Sequence, residues 1–171
     1  MKKYIIYGII LLLTISCITG CGTSPQISSQ KYGEEYLKTL YTFHDTDKII
    51  DQHAYSEMVD LFVEKFKVYM TDTGYFNFRA MREGLPTVNV ALKNKCNIDI
   101  DNIEMKLVDS QSKGNTYFYN FTVNVRLTYL SGGELRNTKV EGEISITKIG
   151  DDWKVERLTT TGAKDWTDLL L

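Results

Sequence analysis

Apolar side chains recur every three to four residues in the first half of the chain, which is the spacing of an amphipathic helix. The period runs from residue 32 to residue 44 and is clearest over 54–70, where charged residues cover the opposite face. A shorter helical or irregular segment is expected over 75–86, ended by Gly84 and Pro86, and a last short helix over 90–95. The apolar stripe of the clearest helix consists of Met58, Leu61, Phe62, Phe66 and Tyr69.

After Cys96 the period changes to alternation of apolar and polar residues, which is typical of strands with one buried face. Glycine-containing turns separate the runs, and Gly142 inside the third run predicts a bend or bulge. The predicted strands cover 102–111, 116–130, 137–150 and 153–159. The apolar face of the longest strand consists of Tyr117, Tyr119, Phe121, Val123, Val125, Leu127 and Tyr129.

Helices followed by a run of hairpin strands predict an α+β fold, with N-terminal helices packed in a curved antiparallel sheet. The strand over 116–130 would measure about 50 Å if it were flat, so we expect it to bend around the helices. The length suits one hydrophobic core, and a single α+β domain is predicted over 32–171.

The first 20 residues have the features of a secretory leader. Lys2 and Lys3 precede an apolar run that is shorter than a membrane span, and Ile18-Thr19-Gly20-Cys21 resembles a bacterial lipobox. We therefore expect a lipoprotein signal peptide over 1–20, lipidation of Cys21, and a flexible tether over 21–31. Cys17 would be removed with the leader, since Ile15 fits the small position of a lipobox poorly. The alternative is an ordinary signal peptide or an uncleaved anchor in which Cys21 is incidental.

Charge and cysteine content narrow the function classes. The whole chain carries a formal charge of −2. Without Lys2 and Lys3, 18 basic residues face 22 acidic ones, which gives −4. No basic patch with interleaved aromatics is present, so nucleic acid is not an expected partner. Cys96 would be the only thiol left after cleavage, which excludes an internal disulfide, and it is expected to be a small buried hydrophobe.

The segment GDDWKVERL at 150–158, following helices and long meandering strands, resembles the terminal strand of the nuclear-transport-factor-two-like, or cystatin-like, fold. The resemblance covers roughly residues 32–160 and is one of pattern. It implies a cone-shaped domain of the kind found in small lipoproteins of Gram-positive bacteria and in parts of conjugation machines. The fold occurs in enzymes, carriers and assembly modules, so the fold by itself does not determine the function.

The densest cluster of polar chemistry is FHDTDKIIDQH, with His44, Asp45, Asp47, Asp51 and His53. Two imidazoles and three carboxylates could bind a divalent cation or supply a general base. However, the nine-residue spacing of the histidines matches no standard zinc motif, and Asp and Thr are common capping residues between helices. We therefore expect neither a metal site nor a catalytic site here.

The inward face of the sheet supplies the candidate ligand-pocket lining, Tyr117, Tyr119, Phe121 and Tyr129. Enzymes of the resembled fold place an acid or base inside the cone, and no Asp, Glu or His alternates onto this face. The tyrosines are thus expected to line the core, with no catalytic residue and no cofactor.

These patterns predict a membrane-anchored, extracytoplasmic lipoprotein that acts as a non-enzymatic binding or assembly module, in envelope or conjugation machinery. Its expected partners are the cell membrane, through the lipid on Cys21, and an unidentified protein; a homodimer is a further candidate. Two alternatives stay open. A carrier or sensor of a small apolar ligand would be favoured by an open apolar cavity. An isomerase- or dehydratase-like enzyme would be favoured by a carboxylate or histidine that faces the cavity and has a shifted pKa. Trp166 and the leucines after it are expected to pack on the domain.

Overall fold

The computed structural model describes residues 24–44 and 52–161. Four helices precede a four-stranded antiparallel meander with strand order β1-β2-β3-β4. The helices are α1 (Pro25–Tyr41), α2 (Gln52–Glu64), α3 (Asp72–Met81) and α4 (Leu85–Asn94). The strands are β1 (Cys96–Leu107), β2 (Thr116–Tyr129), β3 (Glu134–Ile149) and β4 (Asp152–Thr161). The predicted α+β class is confirmed. Within the described ranges, no helix is long and apolar enough to cross a bilayer.

Helix α1 begins seven residues before the predicted domain boundary, so the flexible tether expected over 21–31 is wrong for residues 25–31. The side chain of Ser24 accepts a hydrogen bond from the backbone N–H of Ile27 at 3.3 Å, and Pro25 occupies the first turn. A capping serine followed by proline is a common helix start, because both satisfy or remove unpaired backbone donors. Ser29 and Gly33 are buried, so this early part of α1 belongs to the domain.

The predicted helix over 54–70 ends early, at Glu64. Residues after it form tight turns, in which Phe66 N–H donates to Val63 and Tyr69 N–H donates to Phe66. The chain then runs alongside β4, where Met70 forms a parallel bridge with Val155. The apolar period continues through these turns because Phe66 and Met70 are buried in the same core as α2.

Strand β1 begins at Cys96, six residues earlier than predicted, and contains a bulge between Ile100 and Asn102. The bulge lets Ile98 and Ile103 face the same side of the sheet although their numbers differ in parity, since both pair with inward-facing residues of β2. Cys96 is fully buried, and burial raises the pKa of its thiol to about 11, which confirms its role as a small hydrophobe.

The core lies between the helices and the inward face of the sheet. β2 contributes alternate buried residues, as predicted for the central part of its apolar face. The helices and the residues that follow α1 and α2 contribute a chain of aromatic rings in edge-to-face or tilted contact, with centroids 5.0–5.6 Å apart. These rings belong to Phe43, Phe62, Phe66, Phe78 and Tyr36.

Gly142 is not a bulge, contrary to the sequence expectation. It pairs in register with Phe121 on one side and Thr160 on the other. A Cβ atom here would lie 2.6 Å from the ring of Phe121 and would also overlap the carbonyl oxygen of Thr159. Glycine is therefore required because the Phe121 ring covers the backbone of β3.

We predict that Gly142→Ala destabilises the protein by about 1–3 kcal/mol, since the ring of Phe121 has to move within a packed core. Gly33→Ala is the matched control. Its new Cβ would meet the mobile ends of Ile146 and Met105 at 2.5 and 2.7 Å, and alanine also favours the helix by about 1 kcal/mol. Urea unfolding should show the larger loss for Gly142→Ala. An equal or smaller loss would contradict the close-approach explanation.

Candidate functional site

The four predicted pocket residues lie along β2, and none of the five described cavities is lined by more than one of them. Tyr119 is buried, and its hydroxyl lies 2.6 Å from Ser29 Oγ and donates to the carbonyl oxygen of Gln26. Tyr117 packs edge-on against Trp153, with ring centroids 5.8 Å apart.

The other two predicted pocket residues also have structural surroundings. Phe121 is buried against Tyr41, with ring centroids 6.5 Å apart. Tyr129 pairs with the buried Cys96 but is 42% exposed, because it lies at the end of the strand next to the turn through Gly133. The hydrogen bonds described for the Tyr119 hydroxyl thus hold this side chain against α1.

The histidine- and aspartate-rich segment is described only in part. His44 Nε2 lies 2.8 Å from Asp99 Oδ1 on β1 in an exposed pair, next to the backbone pairing of Phe43 with Ile98 that joins the end of α1 to the sheet. Asp45, Asp47, Asp51 and the side chain of His53 lie outside the described residues, as do Cys21 and Trp166. Among the described side chains, no group of three or more His, Cys, Asp or Glu is placed to hold a metal ion.

A cavity of about 610 Å³ lies between the α3–α4 connection and the second half of β4. We call it the β4 cleft. Its size falls within the usual range for small-molecule sites, about 300–1,000 Å³. It is lined by Tyr41, Asn77, Met81, Arg82, Glu83, Pro86, Arg157, Leu158, Thr159 and Thr160.

The first turn of α3 is fixed to β4. Thr71 N–H donates to the carbonyl oxygen of Val155 at 3.0 Å and caps α3 through its side chain. Gly74 lies so close to β4 that a Cβ atom would come within 2.8 Å of the carbonyl oxygens of Val155 and Glu156. Further along the helix, Asn77 and Met81 line the cleft, so the space between helix and strand is not filled there.

The end of α3 places two charged side chains at the cleft. Arg82 adopts a left-handed backbone conformation, φ 56°, and its N–H donates to the carbonyl oxygens of Phe78 and Arg79. This position usually favours glycine, because a Cβ atom crowds the following carbonyl oxygen. An arginine here therefore carries backbone strain at a cavity, and the turn it makes brings Glu83 into the cleft lining.

Burial raises the pKa of the Glu83 carboxyl to about 7, although the nearby Arg157 guanidinium opposes the shift. The carboxyl is thus close to half protonated at neutral pH. Arg157 Nε donates to Thr159 Oγ1 at 3.2 Å. Within the described ranges, the ion pairs join His44 to Asp99, Arg126 to Asp101 and Lys139 to Glu141, and none involves a residue of the cleft. Among the described residues, no carboxylate is in ion-pair contact with either guanidinium group of the cleft.

The floor of the cleft is apolar, with one polar group from α1. Burial raises the pKa of the Tyr41 hydroxyl to about 12, so it stays protonated at physiological pH, and it lies 3.5 Å from Thr160 Oγ1.

Sequence reasoning missed this site because Glu83 belongs to a short connection and does not alternate onto the sheet. The open cavity is what the carrier hypothesis requires, and a cavity-facing carboxyl with a raised pKa is what the enzyme hypothesis requires.

Comparison with known proteins gives a fold and no family. No family model matches the chain, and no curated protein matches it significantly. A solved periplasmic fragment of TraM aligns with a TM-score of 0.51 and 15% identity, over 81% of this chain and 98% of the fragment. An IcmL-like type IV secretion system protein from Legionella pneumophila aligns with a TM-score of 0.53 and 16% identity, over 83% of this chain and 94% of that protein. These likenesses support the nuclear-transport-factor-two-like fold.

We predict that Glu83 makes the protein less stable as pH rises from 4.5 to 7. The folded state holds the Glu83 proton more tightly than the unfolded chain, whose carboxyl has a pKa of 4.5. Folding stability from this group is therefore complete below pH 4.5 and is lost as pH rises through about 7. Glu83→Gln removes the effect, so its free energy of unfolding should fall less between pH 5 and pH 8, by on the order of 1 kcal/mol.

Urea unfolding at the two pH values measures this difference. Glu104→Gln, which removes a carboxyl from an exposed position of β1, controls for the change in net charge. If Glu83→Gln and the unsubstituted chain lose the same stability between pH 5 and pH 8, the carboxyl is not held in its neutral form.

Proposed function

We propose that the chain is a lipid-anchored, extracytoplasmic binding module of envelope machinery of the conjugation or secretion type. The observation that carries this proposal is the likeness to TraM and to the IcmL-like protein. The aligned region covers 98% and 94% of those chains. One of them is a periplasmic fragment and the other is a type IV secretion system protein, so the fold is used in that setting. Because a shared fold does not determine function, the proposal also rests on residues of this chain.

The position of the candidate lipidation site determines which end of the domain the proposed anchor would hold at the membrane. Cys21 precedes the capping residue Ser24 by three residues. Three residues span at most about 10 Å, even when extended. A diacylglycerol on Cys21 would therefore hold the N-terminal end of α1 close to the membrane surface, and two acyl chains suffice for stable anchoring.

The orientation of α1 then places the β4 cleft away from the membrane. Ser24 caps one end of α1, and Tyr41, its last residue, lines the cleft. A helix of 17 residues is about 25 Å long. In the proposed arrangement the cleft is thus directed towards the envelope, where a partner or ligand could reach it.

The packed inward face of the sheet favours a protein-interaction module over a small-molecule site inside the cone. The Tyr119 hydroxyl is held by Ser29 and Gln26, and Phe121 packs against Tyr41. These side chains stabilise the core, and a carbonyl substrate would have to displace their contacts.

We predict that Cys21→Ala abolishes lipid attachment and releases the protein from membranes, whereas Cys17→Ala does not. Cys17 is the matched control because it lies four residues away in the same leader region. The measurement is incorporation of a labelled fatty acid in growing cells, followed by membrane fractionation and mass spectrometry of the N-terminus. The proposed lipidation of Cys21 would be contradicted if Cys21→Ala still incorporated the labelled fatty acid. It would also be contradicted if Cys17→Ala failed to incorporate it.

The assembly role is tested in the same strains by crosslinking in intact cells. We expect the unsubstituted chain to form a defined adduct with an integral envelope protein, and the adduct to be lost with Cys21→Ala. A chain that is lipidated but forms no adduct, and instead purifies with a bound small molecule, would contradict assembly and support a carrier.

A second candidate function, general acid–base catalysis, is supported by the Glu83 carboxyl in the β4 cleft. A carboxyl with a pKa near 7 can both donate and accept a proton at neutral pH. The pH dependence of unfolding described above decides whether this requirement is met. If Glu83→Gln leaves that dependence unchanged, the cleft has no such acid or base among the residues described.

A further inference from the structure

We propose that the β4 cleft binds a small amphiphilic carboxylate, whose acyl part lies on the apolar wall and whose carboxylate pairs with Arg157. The proposal concerns this site alone and does not depend on the lipid anchor. It rests on the shape of the cleft, the composition of its walls and the arrangement of its charges.

The wall of the cleft is suited to an apolar chain. Met81 is 75% exposed, although it is a large hydrophobic residue at the end of a helix beside a cavity. Pro86, Tyr41 and the buried Leu158 contribute further apolar surface to the lining. A volume of about 610 Å³ accommodates a medium-length acyl chain.

The charges at the cleft favour an anion. Arg82 and Arg157 come from different elements, the end of α3 and the middle of β4, and both line the same cavity. Arg157 also borders a small pocket that Glu143 of β3 lines. The described ion pairs leave both guanidinium groups without a carboxylate in contact. A guanidinium binds a carboxylate with two parallel hydrogen bonds, so a ligand carboxylate supplies the missing partner.

Glu83 adjusts the affinity of the cleft for an anion. The titratable and charged groups that line the cleft with it are Tyr41 from α1, Arg82 from the α3–α4 connection and Arg157 from β4. Burial holds the Glu83 carboxyl largely neutral below pH 7, and then it can donate a hydrogen bond to the ligand. Above pH 7 it becomes an anion and repels the ligand, so binding should weaken as pH rises.

The test uses octanoate as the probe and 1-octanol, with the same chain length, as the neutral comparison. The chain from Gly22 onward keeps every described core residue and the Ser24 cap, and it needs no detergent that would sequester the probe. Binding is followed by chemical-shift changes of backbone amides at pH 6. We expect saturable shifts at Asn77, Glu83 and Thr159 with octanoate, and at least about tenfold weaker binding of octanol, because a charge-assisted bond is lost.

Variants separate an anion site from an apolar patch. Arg157→Gln should weaken octanoate binding about tenfold at pH 6 and leave octanol unchanged. Arg136→Gln, which removes an exposed arginine of β3 outside the cleft lining, should change neither. Glu83→Gln should bind octanoate equally at pH 6 and pH 8, whereas the unsubstituted chain should bind more weakly at pH 8.

Three results would overturn the proposal. Equal binding of octanoate and octanol would show an apolar surface without an anion site. Unchanged octanoate binding by Arg157→Gln would show that the anion lies elsewhere. Octanoate binding that appears only after deletion of residues 162–171 would show that this segment of the chain, which follows β4, occupies the cleft.

Discussion

The backbone pairing of the α2–α3 connection with Val155 fixes the helices to the edge of the sheet. Val155 N–H donates to the carbonyl oxygen of Tyr69 at 2.8 Å, and Thr71 N–H donates to that of Val155 at 3.0 Å. An unpaired edge strand is costly or prone to aggregation, so covering it stabilises the domain. Because the pairing covers only the first half of β4, α3 separates from the strand beyond it and leaves the β4 cleft. This short contact therefore positions α3 at the edge strand and bounds the candidate site.

Sequence alone was sufficient for elements whose pattern is local. The alternation over 116–130 gave the buried face of β2 at its central positions, since every second residue faces one side of a strand. The same rule missed the first half of β1, because the bulge after Ile100 changes which positions face inward from even to odd numbers. The change from even to odd apolar positions between Ile98 and Ile103 is the sequence signal of that bulge. The start of α1 was also present in the sequence, as Ser24 followed by Pro25.

The candidate site could not be predicted because its residues are joined only by the tertiary fold. Glu83 lies in a connection and Arg157 in an edge strand far apart in the chain, so no local sequence pattern joins them. The raised pKa of Glu83 comes from burial, which depends on how α3 and α4 pack on β4. The strained backbone at Arg82 is likewise invisible in the sequence. The sequence pattern instead suggested a ligand pocket lined by tyrosines of β2, and in the structure Tyr117 and Tyr119 make packing and hydrogen-bond contacts.

Backbone hydrogen exchange at Val155 and Thr71 tests this account most directly. Both amides are donors in the pairing between the α2–α3 connection and β4, so we expect them to exchange as slowly as the amide of Val123 in the centre of the sheet. If the amides of Val155 and Thr71 instead exchange as fast as that of the exposed Thr161, the helices are not held at this edge. The β4 cleft would then have no fixed wall.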